Sequence, residues 1–276
     1  VLDYIKLDNH KLNHSYGRFS NNGNWSVYVD PTPGNNNNNS NAYTAYSDTP
    51  DFSLGPGFYD SSISLSLSTN QPNVDIYYTL DGSLPSETSM YYGQTDNNGQ
   101  ISPIVPQIDI NNTAVVRAIA FSQDPNFLPS FIETNTYFIN EQHTIAVISI
   151  AGEQVEDLLN GNQIKPVGSF EFFGEEGNLI DEAVGEFNEH GNDSWAYAQR
   201  GFDYITRDQY GYNYAINNKL FTTKDRDSFQ RLILKAAAND NYNNAPGSPA
   251  HIRDSYLHSL SQIGDLRMDE RSHESC

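Results

Sequence analysis

At residues 74–83 the chain reads VDIYYTLDGS. Val74, Ile76, Tyr78 and Leu80 recur at every second position, the spacing of an extended strand with one face turned to a core. Asp81-Gly82 then supplies a favoured tight-turn pair. Upstream, SISLSLST repeats the device, with Ile63, Leu65 and Leu67 on one face and serines on the other. Downstream, NNTAVVRAIAFSQ and ETNTYFIN read as further strands separated by Pro- and Asn-rich turns. Short strands with frequent turns predict a β-sandwich over residues 50–140.

Before this block, SYGRFSNNGNWSVYVDPTPGNNNNNSN runs from a turn-rich hairpin into a Pro/Gly stop and an Asn run. The Asn run lacks the apolar surface to fold, so a boundary is expected near Asn41. VLDYIKL and WSVYV read as the last strands of a β-domain, and the start at Val1 inside an alternating strand reads as an internal piece of a longer protein.

The net charge of −20, with only 15 Lys and Arg among 276 residues, argues against nucleic acid or an anionic membrane as partner, since both need a basic footprint. A nucleotide is still compatible if Mg²⁺ and a few local cations neutralise its phosphates. Cys276, the single cysteine, allows neither an intrachain disulfide nor a Cys-based zinc site. No apolar run is long enough to span a membrane.

From about Gln142 the pattern turns mixed. TIAVISI reads as a buried strand, and GEQVEDLLNG gives Val155, Leu158 and Leu159 helical spacing with Gly161 as the stop. VGSFEFF and RGFDYITRD read as strands, while RLILKAAA is ambiguous by period. A helix is expected from about Pro249, capped by Ser248, with Ile252, Tyr256, Leu260 and Ile263 as its apolar stripe and Gly264 as its end.

Within this region GNDSWAYAQRGFDYITRDQYG, residues 191–211, begins with turn-forming residues that offer backbone N–H groups, then places Arg200 and Arg207 at the ends of a strand. Backbone donors beside a cation suit a phosphate, and the same residues suit a tight turn with a solvated arginine. NDNYNN, residues 239–244, offers oxygens but lacks the glycine and closing glutamate of a calcium loop. His190 near Glu186 and Glu189 lacks a third ligand at metal spacing. On the sandwich, Tyr77, Tyr91 and Tyr92 are candidates for stacking on sugars, although exposed tyrosines are common on strands and the module reads more simply as a spacer.

Three resemblances add to this reading. IYYTLDGSLPS, followed by AVVRAIAFSQ and TNTYFI, resembles the immunoglobulin-like module at the C-terminus of chitobiase and hexosaminidase enzymes. SYGRFSNNGNWSVYVDPTPGNNN, about residues 11–39, is similar to the closing stretch of a lamin-tail domain. FNEHGNDSWAYAQRGFDYITRDQYG, then KLF, FQRLILKAAANDN and HIRDSY, resembles the N-terminal half of the spore-coat protein H (CotH) kinase family over residues 143–276.

The implied architecture is multidomain. Residues 1–41 are the end of a lamin-tail-like β-domain plus an Asn-rich linker, residues 50–140 an immunoglobulin-like sandwich, and residues 143–276 an incomplete α+β kinase-like domain. The CotH resemblance implies ATP with Mg²⁺ or Mn²⁺ as cofactors and phosphate transfer to an unknown protein substrate. It carries a nucleotide-contacting role to Asn192, Ser194, Arg200, Arg253 and Asp254, with Arg200 standing where the family usually has lysine. The family's catalytic carboxylates fall beyond Cys276, so the chain itself is expected to be inactive. The modules imply an exported bacterial protein, extracellular or on the cell surface. An alternative is a non-catalytic surface protein that contacts glycans through its β-modules and carries a degenerate kinase-like domain.

Overall fold

The computed structural model of the chain describes residues 10–19, 23–37, 40–98, 100–102, 107–191, 195, 200–207, 210, 213–221, 225–236, 240 and 252–266. The chain divides into two units at the step from Gln142 to His143.

In the first unit, β1 (Ser15–Arg18), β2 (Trp25–Tyr28) and β3 (Ala42–Tyr43) form a three-stranded antiparallel sheet. Next come β4 (Ala45–Tyr46), β5 (Asp51–Phe52), β6 (Gly57–Tyr59), β7 (Ile63–Leu65) and β8 (Leu67–Ser68). They are followed by β9 (Val74–Thr79), β10 (Met90–Thr95), β11 (Ile101–Ser102), β12 (Ile108–Ile110), β13 (Ala114–Ser122), β14 (Phe127–Leu128) and β15 (Glu133–Ile139). The main sheet has the order β11-β10-β9-β13-β15-β6, antiparallel except for the β15–β6 pair.

Ile76, Val116, Ala118 and Tyr137 of that sheet pack against Leu65, Leu67, Ile108 and Ile110 from the short ladders β7–β12 and β5–β8. The result is a two-layer sandwich, as the alternation predicts. Each fully buried aliphatic side chain contributes roughly 1.5–3 kcal/mol to that core. Val74 and Ile76 are fully buried, and Tyr78 and Leu80 pack against the same core.

Two details differ from the sequence expectation. SISLSLST is broken at Ser66, which leaves the ladder to exchange hydrogen bonds with Ser53: Ser66 N donates to Ser53 Oγ and Ser53 N to Ser66 O, both at 2.9 Å. Asp81-Gly82 opens the long connection from β9 to β10 instead of closing a two-residue hairpin. Gly82 there adopts φ +74°, and Asp81 Oδ1 accepts from Ser83 N at 3.1 Å, the short-range bond that makes Asp-Gly turns favourable.

The second unit holds an antiparallel meander, β16 (Val147–Ala151), β17 (Val167–Phe173), β18 (Leu179–His190), β19 (Gly201–Thr206) and β20 (Arg231–Leu234). Two helices accompany it, α1 (Val155–Leu159) and α2 (Arg253–Ile263). Its core gathers Val155 and Leu158 of α1 with Phe170, Ala183, Phe187 and Tyr204 from the sheet. The opposed pair Gly168 and Gly185 makes room for these rings: a Cβ on Gly185 would lie 2.8 Å from the Tyr204 ring. Phe170 stacks on Tyr204 at 4.7 Å, and the Tyr204 hydroxyl donates to Ala183 O at 2.7 Å.

Several expectations for this unit are revised. TIAVISI is an edge strand among the described residues, paired with β17 alone, and its Ile148 is exposed. RLIL is the strand β20, and the twelve-residue β18 carries too many acidic residues to stand out by apolar period. The expected helix start at Ser248 and Pro249 lies outside the described residues, and the described helix begins at Arg253. Its stripe faces outward. Ile252, Tyr256, Leu260 and Ile263 are all exposed, Ile263 by 85%, whereas Ser255 and Ser261 are buried.

Candidate functional site

Arg200 stands immediately before β19 and reaches back to α1. Its Nη1 donates to Leu159 O, in the last turn of that helix, and its Nε to Trp195 O at 3.0 Å. The guanidinium also lies 5.5 Å from the centre of the Trp195 ring and close over Gly161, whose φ of +102° ends the helix. A cation at a helix C-terminus complements the dipole and satisfies free carbonyls. Two of its donors are thus committed to backbone oxygens of the described residues. Asn192 and Ser194, the other predicted members of this loop, lie outside the described residues.

Arg253 and Asp254 open α2 with distinct partners. Asp240, buried, accepts from Arg253 N at 3.0 Å through Oδ2 and pairs with Arg253 Nε at 3.2 Å through Oδ1. It supplies the capping bond that Ile252 cannot offer. Asp254 Oδ2 pairs with Lys235 Nζ at 2.7 Å, joining the first turn of α2 to the residue that follows β20. Of the predicted site residues, Arg253 and Asp254 thus stand side by side at the start of α2 with separate partners, and Arg200 binds the end of α1. The sequence places Asp240 in an Asn-rich loop and Lys235 at the end of RLILK without assigning either a partner. Their signals were a single carboxylate in an Asn run ahead of a helix, and a lysine closing a strand.

The sheet face that bears Lys235 carries a second charged group. Asp203, buried, lies 3.0 Å from His190 Nδ1 through Oδ1 and pairs with Arg231 Nη2 through Oδ2. The His190 approach is an electrostatic contact without the alignment of a hydrogen bond, since Oδ1 accepts none. His190 therefore faces Asp203. Among the described residues no three His, Cys, Asp or Glu side chains gather as a metal set.

On the first unit, Tyr77 of β9 and Tyr91 of β10 are cross-strand partners with rings 5.2 Å apart, and Phe121 of β13 meets Tyr77 edge-on at 5.7 Å. Tyr91 OH donates to Asp75 Oδ1 at 2.9 Å, and Gln123 Nε2 to Asp75 Oδ2 at 3.3 Å. Desolvation, then the hydrogen bond to Asp75, pushes the Tyr91 phenol up to about 12, so the hydroxyl remains a donor. Successive residues of β10 point to opposite faces, and the register with β9 shifts between Tyr91 and Gly93. Tyr92 is 5% exposed in the core while Tyr91 is 54% exposed, so Tyr92 drops out of the predicted stacking trio.

These strands belong to one matched span. Residues 54–126 match the chitobiase/beta-hexosaminidase C-terminal domain. That domain runs here from just before β6 to just after β13, and holds Asp75, Tyr77, Tyr91, Phe121 and Gln123. No curated protein and no solved structure matches the chain. A cavity of about 530 Å³ lined by Phe19, Trp25, Ala42 and Thr44 lies before the matched span and shares no residue with either constellation. Among the described residues no helix is long and apolar enough to cross a membrane.

Proposed function

We propose that the unit beginning at His143 is the nucleotide-facing sheet of a CotH-type protein phosphotransferase that uses ATP with Mg²⁺ or Mn²⁺. The reading is carried by the Lys235–Asp254 pair, a lysine just past the end of β20 held at 2.7 Å by a carboxylate in the following helix. Protein kinases use such a pair to hold a lysine against the nucleotide phosphates. The carboxylate confines a flexible ammonium that would otherwise sample many rotamers. Asp240 supports the arrangement by fixing the start of α2, and the order of the motifs from Gly191 to Asp254 agrees with it.

In this reading Lys235 holds phosphate oxygens with its remaining donors, assisted by Asn192, Ser194 and Arg200. ATP supplies the phosphoryl group and the metal screens its charge. The described residues gather no metal set, so no step is assigned to the ion.

Titration of the chain with a fluorescent ATP analogue and Mg²⁺ tests this. Saturable binding displaced by unlabelled ATP is expected, with Lys235→Ala about tenfold weaker, the scale of one charge-assisted hydrogen bond. Absence of saturable binding, or equal affinity in the folded variant, would refute it.

A second reading concerns the sandwich, as an immunoglobulin-like, glycan-facing module of an exported or cell-surface protein, preceded by a lamin-tail-like segment. It is favoured by the match to a domain named for chitobiase and beta-hexosaminidase, together with the exposed Tyr91 ring beside Asp75. A glycan array probed with the full chain tests it, and an array without signal counts against it.

A further inference from the structure

The main sheet of the sandwich presents an arrangement that its own packing does not require. Cross-strand aromatic pairs stabilise a sheet whether or not one ring faces water. Here the ring left facing water is also fixed in orientation. Tyr91 stands on Tyr77, its hydroxyl is tied to Asp75, and Gln123 holds the other oxygen of the same carboxylate. Three neighbouring strands, β10, β9 and β13, contribute, so the group rests on the middle of a sheet and not on a loop.

We infer that Tyr91, Tyr77, Phe121, Asp75 and Gln123 form a docking site for a neutral, β-linked oligosaccharide. This deepens the glycan-facing reading of the sandwich and rests on it. A pyranose whose C–H bonds all point to its two faces is apolar above and below and polar around its rim. Such a ring matches an exposed aromatic face beside hydrogen-bonding groups. The Tyr91 ring supplies the face. Asp75, each of whose oxygens takes one protein donor, keeps lone pairs for sugar hydroxyls, and Gln123 adds an amide at the rim.

Charge sets the class. Asp75 and Glu87 both raise the Tyr77 phenol after desolvation does, which places two carboxylates in the field of this patch. The chain as a whole carries −20. Uronic acids, sulfated sugars and nucleic acids are therefore disfavoured, and uncharged sugars are not. Holding the ring in place before binding reduces the ordering cost of capture.

The test is calorimetric titration of the full chain with cellohexaose and chitohexaose as neutral probes and hexagalacturonate as a charged one. Binding of a neutral probe, about tenfold weaker in Tyr91→Ala, is the expected result. Asp75→Asn is expected to narrow the discrimination against hexagalacturonate. Tyr91 is exposed and its removal leaves the core intact; circular dichroism verifies the fold. Equal affinity in Tyr91→Ala would overturn this site while leaving the glycan-facing reading standing. A preference for hexagalacturonate would overturn the neutral class. If none of the probes binds but an array gives other ligands, this inference falls alone; a silent array removes both.

Discussion

Lys11 gives the sharpest test of how the segment before the sandwich is attached to it. Its ammonium donates to Pro129 O at 2.9 Å and Ser130 O at 2.8 Å, and lies 5.5 and 5.7 Å from the ring centres of Tyr46 and Phe131. Burial lowers its pKa from 10.5 to about 8, because two carbonyls and two aromatic faces replace water incompletely around a charge. That difference corresponds to a penalty of about 3 kcal/mol on the charged form. Below pH 8 both folded and unfolded chains are protonated and the penalty is fully present. Between about 8 and 10.5 the unfolded chain holds more protons, so stability rises with pH, and above that range the penalty is gone. Competitive acylation of lysines, read by mass spectrometry as a function of pH, should give Lys11 a midpoint near 8, below the ordinary lysine value of 10.5. Unfolding followed through Trp25 in a Trp195→Phe background should show wild type gaining about 2–3 kcal/mol on Lys11→Met between pH 7 and 10. His14, lowered by desolvation and then by Lys11, should titrate higher in the variant. A Lys11 midpoint above 10, or parallel stability profiles, would refute the account.

Asp240→Ala should fray the start of α2, at a cost of about 1–2 kcal/mol for a lost cap, whereas Asp240→Asn keeps the acceptor for Arg253 N and most of the stability. Hydrogen exchange of the α2 amides measures both, and unchanged protection in the alanine variant would count against the capping role. Gly185→Ala should destabilise the second unit by roughly 1–3 kcal/mol, since a Cβ would sit 2.6 Å from Ile205 O as well as against Tyr204. Denaturant titration of that unit through Trp195 tests this, and a neutral result would mean that β18 and β19 can part at no cost.

How far the sequence reached depended on whether an element's period matched its burial. Val74, Ile76, Leu65 and Leu67 were legible because one face of each strand meets a core, and alternation records that directly. β18 was hidden because Asp181, Glu182, Glu186 and Glu189 interrupt its apolar residues on both faces, around the buried run Ala183, Gly185 and Phe187. The α2 stripe was legible as a helix, but its direction was not: periodicity gives a face without saying what the face meets, and here it meets solvent. Tyr91 and Tyr92 are adjacent and alike in sequence; alternation sets them on opposite faces, and the packing of the sheet decides that the Tyr92 face meets the core.

The candidate sites divide the same way. Arg253 and Asp254 were visible as a pair opening a helix, and Arg200 as a cation beside a turn. Partner choice was decided in three dimensions, where Asp240 is thirteen residues from Arg253, Lys235 nineteen from Asp254 and Leu159 forty-one from Arg200. Residue types and spacing determined the strands, the turns and the stock of charges, because those follow from local sterics and the burial of one face. Tertiary structure decided which charge answers which, because a salt bridge or a carbonyl bond depends on a distance of a few ångströms that chain separation does not encode.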